Sequence, residues 1–148
     1  MQDKIHPMRA IADMSCIWHR VLEKEMADLG LSSIQSRMLG YIYFQNKQNR
    51  QVFQRELEEV FKIRKSSVSS VLQTLEKKGY LSREIVKGDA RQKMLVITEH
   101  GIEMQTTVMR RLDSLETMVR DALSPEDLQA FFACIEKIET RLKEAEYD

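Results

Sequence analysis

The sequence predicts a mainly α chain carrying one small β-hairpin, and three observations predict it. Val68, Val71, Leu72 and Leu75 recur at i, i+3, i+4 and i+7, the stripe of a helix, and that helix has its stop signal at Gly79. Immediately afterwards, two runs rich in β-branched and aromatic residues, Tyr80 to Val86 and Lys93 to Thr98, flank the turn-forming Lys87-Gly88-Asp89. The segments on either side carry apolar residues at three- and four-residue intervals with capping residues at their ends.

The elements follow in chain order. Met8 to Leu29 is an amphipathic run with Ile11, Met14, Trp18, Val21 and Leu22 near one side, ending at Gly30 as a C-cap. Ser32 with Gln35 three residues later is a capping box, and Met38, Leu39, Ile42 and Tyr43 supply the buried stripe of a second helix to about Gln45. Asn46 to Gln51 is polar and loop-like. Phe53, Leu57, Val60 and Phe61 mark a third helix, and Lys62-Ile63-Arg64 the turn before the fourth. Helix, tight turn, helix, then hairpin is the order of a winged helix-turn-helix, with the fourth helix in the reading position and the hairpin as wing.

Advancing 100° per residue from the apolar stripe of the fourth helix places Ser66, Ser70, Gln73 and Lys77 on its opposite side. Small hydroxyls, an amide and a cation make a thin surface able to enter a major groove and to bond base edges and phosphates. The wing tip and return carry Lys87, Arg91 and Lys93, with Asp89 placed to hold Arg91 for a minor groove.

Beyond Thr98 a fifth helix continues through Met104, Val108, Leu112, Leu115 and Val119 to about Leu123. Ser124-Pro125-Glu126-Asp127 combines a hydroxyl N-cap, a proline at the first helical position and two carboxylates at the positive end of the dipole, and so starts a sixth. Along it Leu128, Phe131, Ile135, Ile138 and Leu142 are spaced 3, 4, 3, 4, the seam of a helix that packs against other helices. Two long terminal helices flanking a compact head have little else in one chain to cover them, which points to a homodimer through residues 1–30 and 102–148. The whole, residues 1–148, reads as one domain with residues 31–101 as its winged part.

Charge agrees once it is divided along the chain. With 23 Lys and Arg against 23 Asp and Glu the formal net charge is zero. Between Arg50 and Lys93, however, 11 basic residues face 6 acidic ones, and the remainder holds 12 against 17. Binding a phosphate backbone needs a local basic surface rather than a basic protein.

Other function classes find less support. The chain has no apolar run near the ~20 residues of a membrane span and no signal-peptide core in Met1 to Ala10, so a cytoplasmic protein with no membrane partner is expected. No glycine-rich phosphate loop or activated nucleophile signature is present, which argues against an enzyme and for no cofactor. His6, His19 and His100 are scattered, so no metal site is expected. Cys16, beside Trp18, His19 and Arg20, is the better thiol-sensor candidate of the two cysteines, although packing as a small core residue is the favoured account of it. Cys134 reads as core. Trp18, His19, Met38, Tyr41 and Tyr43 could line a pocket for a small aromatic effector, or be plain core.

Five fragments in order resemble the MarR family of bacterial transcription regulators: Leu31-Ser32-Ser33-Ile34-Gln35, Lys65-Ser66-Ser67-Val68-Ser69, Leu75-Glu76-Lys77-Lys78-Gly79, Asp89-Ala90-Arg91 and Ile97-Thr98-Glu99-His100-Gly101. The resemblance implies a homodimeric DNA-binding regulator that responds to a small molecule or other signal. Two recognition helices about a two-fold axis are expected to read an inverted repeat in double-stranded DNA, and a repressor is expected because a dimer seated on a promoter blocks polymerase without a further contact surface. Carried onto this chain, the DNA-contacting set is Arg64, Lys65, Ser66, Ser67, Ser69, Ser70, Gln73 and Lys77 from the helix and Lys87, Asp89, Arg91 and Lys93 from the wing. The chain departs from the pattern at Ser70, where many members have Arg, and at Phe53 and Glu58, where the preceding helix usually has a hydroxyl cap and an alanine. Two alternatives follow: a winged-helix protein-interaction module that binds no DNA, and a thiol-based redox regulator using Cys16.

Overall fold

The structure, a computed structural model, describes residues 6–147. The parts of the expected dimerisation segments at residues 1–5 and at residue 148 lie outside the described residues. The element order is α1 (Pro7–Asp28), α2 (Ser33–Lys47), α3 (Gln54–Phe61), α4 (Lys65–Lys77), β1 (Leu81–Val86), β2 (Asp89–Ile97), α5 (Glu99–Asp121) and α6 (Pro125–Tyr147). The fold is therefore mainly helical with a two-stranded antiparallel wing, as the sequence predicts. Two compact units divide the chain, residues 1–109 and residues 110–148, with α5 crossing the boundary.

In the first unit the helix ends are set by local chemistry. Gly30, at φ +72°, lets α1 close in a Schellman turn: its N–H donates to the Ala27 carbonyl and the Leu31 N–H to the Met26 carbonyl, both at 2.9 Å. Met26 and Leu31, the apolar pair that accompanies such a turn, are both buried. The predicted capping box opens α2, with the Gln35 N–H donating to Ser32 Oγ at 3.2 Å and the Ser32 N–H to Gln35 Oε1 at 3.0 Å. The end of α4 repeats the Schellman geometry, with Gly79 at φ +76° and the Tyr80 N–H donating to the Leu75 carbonyl at 3.0 Å. The Lys78 ammonium also caps the Gly30 carbonyl, so this cation links the end of α4 to the α1–α2 turn.

The core of this unit is built from Met38, Leu39 and Ile42 of α2, Leu57 of α3, Val68, Leu72 and Leu75 of α4, Leu95 of β2 and Val108 of α5, all essentially fully buried. Burial of one such side chain stabilises by roughly 1.5–3 kcal/mol. Val71, expected in the α4 stripe, is only half-buried.

Two stretches differ from expectation. The stretch expected as a loop from Asn46 to Gln51 is partly helical, since α2 runs through Lys47, and it leads into Val52, which is fully buried and bridges to Leu95. The Leu95 N–H donates to the Val52 carbonyl at 2.8 Å. Asn46 ties the same strand to the helix: its Nδ2 donates to the Leu95 and Arg50 carbonyls at 3.3 Å each, and its Oδ1 accepts the Ile97 N–H at 2.9 Å. A polar composition concealed this role because the asparagine is spent on backbone groups rather than on water.

The second difference lies in the wing. β2 begins at Asp89, four residues before the predicted Lys93, and Val86 pairs with Asp89 across a two-residue Lys87-Gly88 turn, with Gly88 at φ +94°. Between the pairs Ile85–Lys93 and Val86–Asp89 the register shifts, which makes a bulge on the β2 side of the ladder. Arg91 sits in it.

Thr98 joins wing to helix. Its hydroxyl donates to the Gly79 carbonyl at 2.6 Å and accepts the Gly101 N–H at 3.0 Å, capping α5.

The second unit comprises the rest of α5 and α6. Ser124 and Asp127 make a reciprocal cap at the start of α6, the Asp127 N–H donating to Ser124 Oγ at 3.1 Å and the Ser124 N–H to Asp127 Oδ2 at 3.2 Å. No described residue of α6 is buried; Phe131, Phe132 and Leu142 are each more than half exposed. Cys134 shares that exposure, which corrects its assignment to a core: helical spacing identified the seam but not what covers it.

Candidate nucleic-acid interface

α3 and α4 are joined by Lys62, in the left-handed region at φ +52°, ψ +42°, then Ile63 and the extended N-cap Arg64. With Val68, Leu72 and Leu75 turned inward, the α4 face of Ser66, Ser70, Gln73 and Lys77 is exposed, as are Arg64, Lys65 and Ser67. Ser69 is half-buried because Gln54, the first residue of α3, donates to its hydroxyl through Nε2 at 2.7 Å. This bond fixes the two arms of the helix-turn-helix to each other.

The exposed face borders a shallow concavity of about 490 Å³, lined by Ser66, Ser69, Ser70, Gln73, Glu76 and Arg83. Sequence reasoning missed Glu76 and Arg83. Arg83 Nε donates to Glu76 Oε1 at 2.9 Å, and its Nη1 to Gln54 Oε1 at 3.4 Å, so α3, α4 and β1 meet in one polar chain. The signal for Arg83 was present: two residues beyond Leu81, it lies on the strand face that Leu81 turns to the core.

Arg91, Lys87 and Lys93 are exposed on the wing, and Asp89 is half-buried. Asp89 holds Arg91 through the backbone, its Oδ1 accepting the Arg91 N–H at 3.0 Å, and this shapes the bulge on which the guanidinium is carried. Every helix and wing residue expected to meet DNA thus lies in the first unit.

The five residues expected to line an effector pocket do not share a face. Met38 is fully buried, whereas Tyr41 and Tyr43, two positions apart, project about 200° from each other. The Tyr41 hydroxyl donates to Glu56, and its ring packs edge-on against Phe61 with centroids 6.0 Å apart. That hydrogen bond, reinforced by burial and by the Glu56 charge, raises the pKa of Tyr41 above its ordinary 10.0. Tyr43 instead packs against Phe44 and lies under the Lys47 ammonium. On α1, Trp18 is half-buried and His19 is exposed, its Nδ1 2.6 Å from the Ser15 carbonyl. Cys16 is exposed too, contrary to its reading as a packed core residue. Among the described residues, no three His, Cys, Asp or Glu side chains are grouped to hold a metal, and no helix is long and apolar enough to cross a membrane.

Comparison with known proteins agrees with this geometry. The MarR family sequence profile matches residues 29–92, from the start of the α2 region to the wing bulge. An HTH-type transcriptional regulator of Bacillus subtilis, YdcH, is 29% identical over 125 residues, covering 84% of this chain and 77% of the relative. A crystal structure of MepR, a transcription regulator of the Staphylococcus aureus multidrug efflux pump MepA, superposes with a TM-score of 0.85 at 20% identity, over 93% of this chain and 99% of that one. MepR in complex with DNA gives 0.72 at 21% identity, over 94% and 99%. A MarR family regulator from Clostridium acetobutylicum gives 0.72 at 26% identity, over 91% and 98%. Profile, relative and fold converge on the segment that carries the motifs: residues 29–92 match the MarR family, and most of the chain is similar to an HTH-type transcriptional regulator and shares the fold of MarR-family structures.

Proposed function

We propose that this protein is a homodimeric, sequence-specific regulator that binds double-stranded DNA at an inverted repeat and represses transcription until a signal releases it. The observation that carries the reading is the exposed hydroxyl and amide face of α4 set beside a bulged wing bearing Arg91, on one head. Such a helix reads base edges in a major groove while wing cations engage the adjacent phosphates or minor groove. The existence of a DNA complex of MepR, whose fold this chain shares, supports the same use of the head.

Dimerisation is supported by apolar surface that one chain leaves open. On α1, Met8, Met14 and Ile17 are exposed, and on α6 Phe131, Phe132 and Leu142. Rows of this kind mark protein contact surfaces. Pairing two copies about a two-fold axis sets two α4 helices to read half-sites roughly 34–36 Å apart. A dimer seated on a promoter blocks polymerase without a further contact surface. A small aromatic effector, or another signal that alters pairing of the terminal helices, changes the spacing of the reading helices and so the affinity.

Selection of bound sequences from a random duplex pool tests the proposal. Enrichment of an inverted repeat with half-sites one helical turn apart is expected; absence of any enrichment refutes it.

A further inference from the structure

The reading helix is short of one group. Between its N-cap Arg64 and its last residue Lys77, α4 contains no arginine, so its outward face offers hydroxyls and an amide but no guanidinium. A planar guanidinium is the side chain best matched to guanine, because it can donate to O6 and N7 together, and neither serine nor a lysine ammonium reproduces that fork.

The neighbouring strand brings one to the same place. Arg83 of β1 lines the concavity shared with Ser66, Ser70 and Gln73. It is held from two sides, by Glu76 Oε1 at 2.9 Å and Gln54 Oε1 at 3.4 Å, and Gln54 is itself anchored on Ser69 of α4 at 2.7 Å. These bonds engage two of the five donors a guanidinium has. An arginine already held in position loses less conformational freedom when it meets a base than a free one does. Its pairing also neutralises Glu76, a carboxylate that would otherwise repel phosphates from this face.

We infer that Arg83, supplied by the wing strand rather than by the reading helix, is a specificity-determining residue that contacts a guanine in each half-site, with Glu76 and Gln54 as the residues that position it. The inference rests on the DNA-reading function proposed above.

The test measures binding of full-length wild type, Arg83→Lys, Arg83→Ala and Glu76→Gln to the duplex that wild type selects and to its single base-pair variants, with thermal midpoints recorded for each protein. Wild type should discriminate guanine at one symmetric position by roughly 5- to 150-fold. Arg83→Lys keeps the charge and loses the fork; at that position alone the preference should fall to within about twofold, with the thermal midpoint unchanged. Glu76→Gln should weaken the same preference by loosening the guanidinium. Unaltered preferences at every position in Arg83→Lys and Arg83→Ala would overturn the assignment. So would a uniform loss across all positions in Arg83→Lys accompanied by a lowered midpoint, which marks a purely structural role. A wild-type protein that binds no duplex, or all equally, fails before any variant is compared, and that outcome overturns the proposed function together with this assignment.

Discussion

Gly101, in the first turn of α5, lies directly against the carbonyl oxygen of Tyr80, so closely that a β-carbon on Gly101 would overlap that oxygen and press on Ile97. The glycine is needed for space, not for an unusual backbone angle. It lets the first turn of α5 approach the strand entry, where the Thr98 hydroxyl caps Gly101 and the Thr98 N–H donates to Tyr80 at 3.1 Å. Glycine inside a helix normally costs about 0.5–1 kcal/mol relative to alanine. Here the sign reverses: Gly101→Ala should destabilise by about 2 kcal/mol or more, read as a lower urea midpoint. A stabilised variant would show that the helix entry is not packed this way.

Asn46 makes a second prediction about the join between helix and wing. Replacing it with alanine leaves the Ile97 N–H and the Leu95 carbonyl without their side-chain partner. Asn46→Ala should therefore cost about 1–3 kcal/mol. Asn46→Asp retains an acceptor for Ile97 but turns lone pairs toward two carbonyl oxygens, and it should be no better than alanine at neutral pH. Chemical denaturation of the two variants measures both effects.

The Tyr41–Glu56 hydrogen bond gives a pH dependence with a definite sign. The folded-state pKa of Tyr41 is raised above 10.0, first by this bond, then by burial and by the Glu56 charge. The neutral phenol is the favoured form, so its contribution is fully present below pH 10 and is lost as pH rises through the raised value. Tyr41→Phe should be less stable than wild type by about 0.5–1.5 kcal/mol at pH 7. The difference between the two proteins should shrink above pH 10, which denaturation at a series of alkaline pH values would show.

Apolar exposure on α6 predicts the oligomeric state. Phe131→Asp combined with Phe132→Asp puts charge on side chains that are already exposed in the single chain, so helicity should be retained. Sedimentation should nevertheless show a monomer at concentrations where wild type is a dimer, and DNA affinity should fall because two heads no longer act together. A double variant that sediments as wild type would remove α6 from the interface.

Much of this was legible in the sequence because the informative residues act locally. Gly30, Ser32 with Gln35, Gly79 and Ser124 with Asp127 each end or start a helix through bonds to neighbours within a turn or so, so spacing alone reveals them. The outward serines of α4 follow from the helical period once its apolar stripe is known. What stayed hidden depends on contacts between distant segments. Asn46 bonds to residues 49 and 51 positions away, and Arg83 to Gln54 at a separation of 29. The wing bulge is a register shift between Ile85 and Val86, which hydrophobic alternation over a short polar strand does not specify. Helical context alone makes Cys16 and Cys134 look like packed residues; whether a helical face is covered is decided by another element, and both cysteines are exposed.

Helix and wing should fail in different ways. Gln73→Ala, on the base-reading face, should change which sequences are preferred. Arg91→Ala should weaken binding to all sequences alike and reduce the salt slope by about 1 for each phosphate contact removed. Comparing the two variants across a panel of duplexes separates readout from anchoring.

Whether an overall neutral chain concentrates a DNA-binding surface on one head and uses two such heads is read most directly from the salt dependence of binding. Affinity of the wild-type protein for its selected duplex should be measured between roughly 50 and 200 mM salt. A logarithmic affinity that falls linearly with the logarithm of salt concentration, losing about a thousandfold or more across that range with two chains per duplex, is the predicted result. No binding at the lower salt, or binding indifferent to salt, would contradict it.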